Sequence, residues 1–488
     1  MKIKKILFIA PPAITLKSGR DISPLPPMGL GYLAAVLRNM GIEVKILDCL
    51  IRGWDTETEV DDSFIKVGLR EDEIEGEIRE FNPDLLGVSC QFSRQYKTYH
   101  RIFTIAKKTK KECITVAGGA HVTVCPHEVL EDKGCDFTLS GEAEVSFKDL
   151  VLKLDQGLDI STVDGLGWKN DGKIYLNNKT QWINDLDSIP FPAYDIMELD
   201  RYFGLEATHG LRHKERFCPI ITSRGCTARC TFCSALRVWG NKYRVRSVNN
   251  VLLEMKMLKE KYNIQELMFE DDNVTANATR AKELFSRMVK ESFNFVWDTP
   301  NGVGVWGMDE EMVDLIKKSG CIKLNFPVES GSQRVLDTVI KKPLKLEKVK
   351  RLIKYCQKVK LDYGMFLIIG LPGETKEDIW QTFKFAASCK VFKPHFSVAT
   401  PYPGTVLFEQ CKNDGLFSRE FSLDDLFIRS YLIKTKEWEG SDLKKILRKG
   451  SLYLMFSKLI YDPFGFALLA MRKLQRSVKK IFNPRKRK

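Results

Sequence analysis

Residues 219–233 read PIITSRGCTARCTFC, a short apolar run that opens into a loop carrying Cys226, Cys230 and Cys233. Three thiols in a CxxxCxxC spacing can converge on one metal centre, and thiolate ligands favour zinc or iron–sulfur clusters. A structural zinc closes its tetrahedron with a fourth protein ligand. Cys218, His213 and His209 lie close enough in sequence to supply one. Three protein ligands on a 4Fe-4S cluster instead leave one iron open to a substrate. Both readings stand at this point.

The chain around the loop alternates apolar runs with helix-like segments. From about 206 to 435 the expected strands are Pro219–Thr222, Glu266–Phe269, Phe293–Trp297, Ile322–Val328, Tyr363–Ile369 and His395–Thr400. Helical patterns such as Val248–Tyr262 and Lys345–Lys360 lie between them. Six β/α units suggest an open or partial barrel, with function gathered at the carboxyl ends of the strands. Polar or glycine-rich turns follow these strands. They are Glu270-Asp271-Asp272-Asn273, Asn301-Gly302, Glu329-Ser330-Gly331-Ser332, Gly370-Leu371-Pro372-Gly373 and Pro401-Tyr402-Pro403-Gly404. Glycine at a strand end lets backbone approach a ligand closely.

The cysteine loop and these turns resemble the radical S-adenosylmethionine (SAM) superfamily, whose partial (β/α)6, TIM-type barrel feeds a CxxxCxxC loop from its first strand. The resemblance implies that Cys226, Cys230 and Cys233 hold a 4Fe-4S cluster. SAM would chelate the open iron through its amine and carboxylate and be cleaved to a 5′-deoxyadenosyl radical. Phe232 matches the aromatic residue common before the last cysteine. Asp271 or Asp272 would accept a hydrogen bond from the SAM amine, although Asp272 and Asn273 also suit a helix N-cap. Asn301, Glu329, Ser330, Gly370 and Pro372 stand where this superfamily places further SAM contacts.

Residues 1–150 show a second alternation. Lys5–Ala10, Val44–Leu47, Asp84–Ser89, Ile114–Ala117 and Phe137–Leu139 read as strands of a parallel sheet, and Gly29–Met40 as a helix. A ligand on such a sheet sits at the carboxyl ends of the strands. The turns there hold Pro11, Ser89, Gly118, Gly119, His121, Gly141 and Glu142. A doubly wound, Rossmann-like domain before a radical SAM barrel resembles the cobalamin-binding subclass, as do the Pro26–Leu33 and Gly118–His121 stretches. Pro11, Gly29, Ser89, Gly118, Gly119, His121, Gly141 and Glu142 then become candidate cobalamin contacts. No Asp-x-His-x-x-Gly pattern occurs, so a histidine-ligated cobalt is not expected. Residues 151–205 read as a linker, with a hairpin turn at Asn170-Asp171-Gly172 and an extended Ile189–Pro192.

The whole chain has 488 residues, 13 cysteines and a formal charge of +14. Scattered, odd-numbered thiols without a secretory signal argue for a reducing, cytoplasmic setting. The charge is local: Gly440–Lys488 carries 14 Lys or Arg against two acids, leaving 63 basic and 61 acidic residues before it. Residues 436–488 therefore read as a basic, amphipathic helical tail, suited to an anionic membrane surface or to packing on the barrel. A nucleic-acid partner is not expected, because the rest of the chain is nearly neutral. No apolar run reaches the ~18 residues of a membrane span.

The expected protein is an α/β enzyme using a 4Fe-4S cluster, SAM and cobalamin. Its expected substrate is a small molecule or lipid, methylated at an unactivated carbon, with electrons from a donor such as flavodoxin or ferredoxin. The same subclass also forms rings. RNA methylthiolation would call for a second cysteine triad, and a zinc-stabilised scaffold would hold no iron.

Overall fold

A computed structural model describes residues 2–205, 209–210, 212–427 and 429–463. Among them the first sheet has seven strands. Lys5–Ala10 (β1), Glu43–Asp48 (β2), Leu85–Ser89 (β3), Ile114–Gly118 (β4) and Phe137–Leu139 (β5) run parallel in the order β2-β1-β3-β4-β5. Strand β1 is buried on both faces. Ile6 and Phe8 pack beneath Met28–Arg38 (α1) and Glu144–Gln156 (α4), and Leu7 and Ile9 beneath Glu71–Phe81 (α2) and Tyr96–Thr109 (α3). A parallel strand covered by helices on both sides must be apolar at successive positions, and the run Ile6–Ile9 is.

The chain leaves β1 for β2 on one side and returns to β3 on the other. This puts the topological switch between the ends of β1 and β3, where doubly wound sheets bind ligands. Pro11 and Ser89 flank that crevice, both partly exposed. The hairpin Leu166–Asn170 (β6) and Lys173–Leu176 (β7) turns at Asp171-Gly172. It is part of this sheet rather than of a free linker, because β6 pairs antiparallel with β5. The added strands supply hydrogen bonds that the β5 edge would otherwise leave open.

The second sheet is wholly parallel: Phe217–Ile220 (β8), Glu266–Phe269 (β9), Val296–Asp298 (β10), Cys321–Glu329 (β11), Asp362–Ile369 (β12) and His395–Val398 (β13), in sequence order. Among the described residues β8 and β13 do not pair, so the barrel is partial. Val248–Tyr262 (α5), Ala278–Lys290 (α6), Glu310–Lys318 (α7), Leu346–Val359 (α8), Lys376–Ser388 (α9) and Val406–Asn413 (α10) follow successive strands. Each start is marked in sequence where a polar cap is present. Thr375, for example, forms a reciprocal capping box with Asp378. A two-stranded ribbon, Ser223–Arg224 against Arg244–Val245, brackets the cysteine loop and was not expected from sequence.

The helix Gly440–Tyr461 (α11) packs on the barrel. Leu443, Ile446, Leu447, Gly450 and Leu454 are buried, with Gly450 against Phe383. Its other face exposes Leu452, Met455, Phe456, Leu459 and Ile460. The apolar stretch Phe464–Met471 and the basic end Arg485–Lys488 lie outside the described residues. No helix among the described residues is long and apolar enough to cross a membrane.

Candidate active site

The cysteine loop starts at Gly225, whose φ of +83° is left-handed and whose Cβ would lie 2.8 Å from the Lys242 carbonyl oxygen. Only glycine fits that turn without strain. Three strand-following segments then pin the loop. Trp306 Nε1 donates to Thr227 Oγ1 at 3.1 Å, Thr231 N donates to the Ile340 carbonyl at 3.0 Å, and Leu407 N donates to the Thr231 carbonyl at 2.9 Å. Ile340 ends a π-helical segment, Val335–Ile340, whose wide turn presents its carbonyls to Thr231. The three thiols thus sit at the carboxyl end of the barrel, and none is in a disulfide.

Burial raises the Cys226 thiol and pushes Cys230 up to about 12. A bound metal removes that penalty by taking the proton's place. The surroundings are already charged for the exchange. Lys342 is buried and donates to Glu329 Oε1 at 2.8 Å. Burial works against its charge, but Glu329 and the thiols of Cys230 and Cys226 outweigh it and hold the ammonium above the usual lysine value. Glu329 itself has φ +68°, a left-handed backbone costing a non-glycine residue about 1–3 kcal/mol. These residues fit an iron–sulfur cluster, because one buried ammonium compensates thiolates that each bind a different iron. They fit a closed zinc site poorly. Among the described residues no three such side chains converge on one ion. Cys218 is buried within β8, and His209 Nε2 lies 3.2 Å from Glu270.

The adjacent acids after β9 have different tasks. Asp271 is fully enclosed and accepts from Thr222 N at 3.1 Å, from Thr222 Oγ1 at 2.8 Å and from the Ser223 hydroxyl. It ties β9 to β8 and faces no open space. Asp272 accepts from Gly225 N at 3.1 Å, is pushed up to about 6 by burial, and its charge acts on Cys226 and Cys233. Asn301 is exposed and donates to Glu270. Phe232 is half-buried on the barrel core. Ser330 is buried, 3.3 Å from Thr382 Oγ1 beneath α9. Gly370 was expected to admit a ligand. Its absent side chain instead makes room for α11, since a Cβ there would lie 2.7 Å from Leu443 Cδ1. Pro372 is buried in the same turn, and Gly370 N donates to Glu374 Oε2 at 2.7 Å.

In the first domain the open positions are Pro11, Ser89, Gly29 and Gly118. A Cβ on Gly29 would meet nothing within 4 Å, and one on Gly118 only the Leu139 carbonyl at 3.8 Å. That edge fits a broad, flat group. The other four candidates have protein neighbours of their own; His121 and Glu142 are buried away from the open edge, while Gly119 and Gly141 stay partly exposed. Gly119 is held against Cys90, whose carbonyl oxygen a Cβ would approach to 2.6 Å. His121 is buried with Nδ1 3.0 Å from Ser93 Oγ and Nε2 3.0 Å from Glu128 Oε2. Gly141 lies under Trp182 and Lys179. Glu142 is buried between Arg224 and Arg244 of the barrel. Sequence reasoning missed Lys342, Arg224 and Arg244. Lys342 is set 109 residues beyond Cys233, beyond the reach of any local motif. Arg224, two residues before Cys226, was the one available signal.

A cavity of about 530 Å³ lies between the domains, lined by Thr123, Cys125 and Glu128 on one side and Arg237, Gly404 and Phe408 on the other. The carboxyl ends of both sheets therefore border one crevice. The radical SAM superfamily model matches residues 220–386, and the B12 binding domain model matches residues 23–151. The fold and the thiol loop thus define a radical SAM enzyme with a cobalamin-binding domain. The chain is 34% identical over 480 residues to cytidylyl-2-hydroxyethylphosphonate methyltransferase of Streptomyces wedmorensis, spanning 92% of this chain and 89% of that one. It is 31% identical to the uncharacterized methyltransferase PH0819 of Pyrococcus horikoshii over 99% of both chains. The structure of TsrM, a radical SAM methyltransferase from Kitasatospora setae, shares the fold with a TM-score of 0.68 at 18% identity, covering 86% of this chain and 76% of that one. This chain belongs to the cobalamin-dependent radical SAM methyltransferases, enzymes that use a 4Fe-4S cluster, SAM and cobalamin.

Proposed function

We propose that this enzyme methylates an unactivated carbon of a small molecule or lipid held in the crevice between its two sheets. Cys226, Cys230 and Cys233 would hold the cluster, and Asp272, Asn301 and Phe232 would border SAM. Pro11, Gly29, Ser89 and Gly118 would hold cobalamin. Bound there, these groups supply an electron, a hydrogen-abstracting radical and a transferable methyl group. The chain's own residues supply the frame. Lys342 compensates the thiolates, Asp272 offers a carboxylate to an amine beside Cys226, and the crevice walls exclude water from a reactive carbon. One observation supports the reading: three free thiols stand on a pinned loop at the carboxyl end of the barrel, and segments that follow strands of both sheets line one cavity.

The relative that acts on a nucleotide-linked phosphonate makes an anionic substrate a specific option, with Arg237 as the cation lining the cavity. The division into 1–150, 151–205, 206–435 and 436–488 serves this reading, with the linker hairpin belonging to the first sheet. The apolar outer face of α11 and the basic residues after it suit a peripheral site on an anionic membrane in the cytoplasm, with a flavodoxin or ferredoxin as donor. Anaerobic purification with cobalamin supplied tests the core of the proposal. Iron, sulfide and corrin are expected in the wild-type chain, and Cys230→Ala should abolish SAM cleavage. Retained cleavage in that variant would refute the cluster assignment.

A further inference from the structure

Four buried charges join the domains. Arg224 Nη1 donates to Glu142 Oε1 at 2.9 Å and Nη2 to Glu144 Oε1 at 2.6 Å. Arg244 Nη1 donates to both Glu142 oxygens at 2.8 and 2.6 Å, and also to the Ile183 carbonyl at 2.7 Å. Glu142 in turn accepts from Ile183 N at 3.1 Å. The four side chains are between 0 and 10% exposed. Trp182 caps the group, packed on both Gly141 and Gly240 and beneath the Arg244 guanidinium.

The position of this lattice matters more than its strength. Arg224 and Arg244 are partners in the ribbon that brackets the cysteine loop. Glu142 sits on the turn that follows β5 and Glu144 opens α4, at the carboxyl edge of the first sheet. Two rigid elements, one leading into Cys226 and one leaving the cobalamin-side edge, are therefore fixed to each other by directional bonds. Buried ion pairs are a poor way to gain stability, because desolvation offsets most of the attraction. Their directionality is what an apolar contact cannot supply.

We propose that Arg224, Arg244, Glu142 and Glu144 are positioning residues that set the separation between the cysteine loop and the open edge of the first domain. This rests on the cofactor sites proposed above. The lattice is a spacer: it holds the two sheets at the distance that lets a carbon in the crevice face both.

The test uses the full chain carrying iron–sulfur cluster and cobalamin, with no substrate. Pulsed electron paramagnetic resonance reads the distance between the reduced cluster and cob(II)alamin. Glu142→Gln keeps the shape and removes the charge. It should retain wild-type iron, sulfide and corrin content while its distance distribution widens at least twofold. Glu144→Gln, which loses one bond only, should widen it less. Wild-type distributions in both variants would overturn the proposal. A wild-type chain that binds neither group defeats the cofactor reading instead. Hydrogen exchange on the apo chain then decides the lattice. Exchange of the Ile183 amide at least tenfold faster in Glu142→Gln supports it, and unchanged exchange overturns it.

Discussion

Two of the contacts between the domains are clasps of oppositely charged side chains in different surroundings. At one, Glu142 and Glu144 meet Arg224 and Arg244 out of contact with water. At the other, Lys97 Nζ donates to Asp424 Oδ2 at 2.7 Å with both side chains about half exposed, while Arg94 stacks 3.7 Å from the Phe427 ring and 5.0 Å from that of Phe64. Water screens the second clasp and lets it reform after each opening. The first has no such freedom, because every lost bond strands a charge in a dry interior. The buried clasp dictates where the domains sit, and the exposed one trims the rim of the crevice.

The largest effect should come from breaking the buried clasp outright. Glu142→Ala leaves two buried guanidinium groups short of a partner and should cost about 3–5 kcal/mol, read from denaturant midpoints of the full chain. A cost below about 1 kcal/mol would erase the distinction between the clasps. A smaller effect at any one pH step comes from a buried acid with no cation bonded to it. Glu374 accepts from Gly370 N and Leu371 N, yet burial pushes it up to about 8. Its folded value lies above the ordinary 4.5, so its contribution is fully present below that pH and is lost as pH rises towards about 8. Stability should fall by up to about 1.4 kcal/mol per pH unit in that window, and Glu374→Gln should flatten the slope. A variant with the wild-type slope would mean that Glu374 does not titrate there. The smallest effect belongs to the exposed clasp. Asp424→Asn should cost about 0.2–1 kcal/mol, and the loss should shrink further in high salt. A salt-insensitive loss of several kcal/mol would show that this clasp, too, is structural.

Much of both sheets was legible in the sequence, because their signals are local. Strand runs such as Glu266–Phe269 and Phe137–Leu139 match the structure residue for residue. The CxxxCxxC loop carries its chemistry within eight residues. The turns were harder to read. Gly370 and Gly141 both announce a close approach, but a glycine does not say what approaches, and here it is Leu443 in one case and Trp182 in the other. Asp271 and Asp272 look equivalent in sequence. A single step along the chain turns one carboxylate into the β8–β9 joint and the other towards the cysteine loop.

The basic tail shows the same limit. Its periodicity permitted either a packed helix or a surface helix, and α11 is buried along one stripe while the opposite stripe stays bare. The sequence by itself determined the order of strands and helices, the metal-binding loop and the class of chemistry, since each depends on residue type and short-range spacing. Only the tertiary structure decided that Glu142 belongs to a lattice with Arg224 and Arg244, that Lys342 stands beside the thiols, and that both sheet edges border one cavity. The partners in those contacts lie at least 80 residues apart. Their pairing follows from burial: charges driven inside must find each other, and which ones meet is set by packing rather than by proximity along the chain.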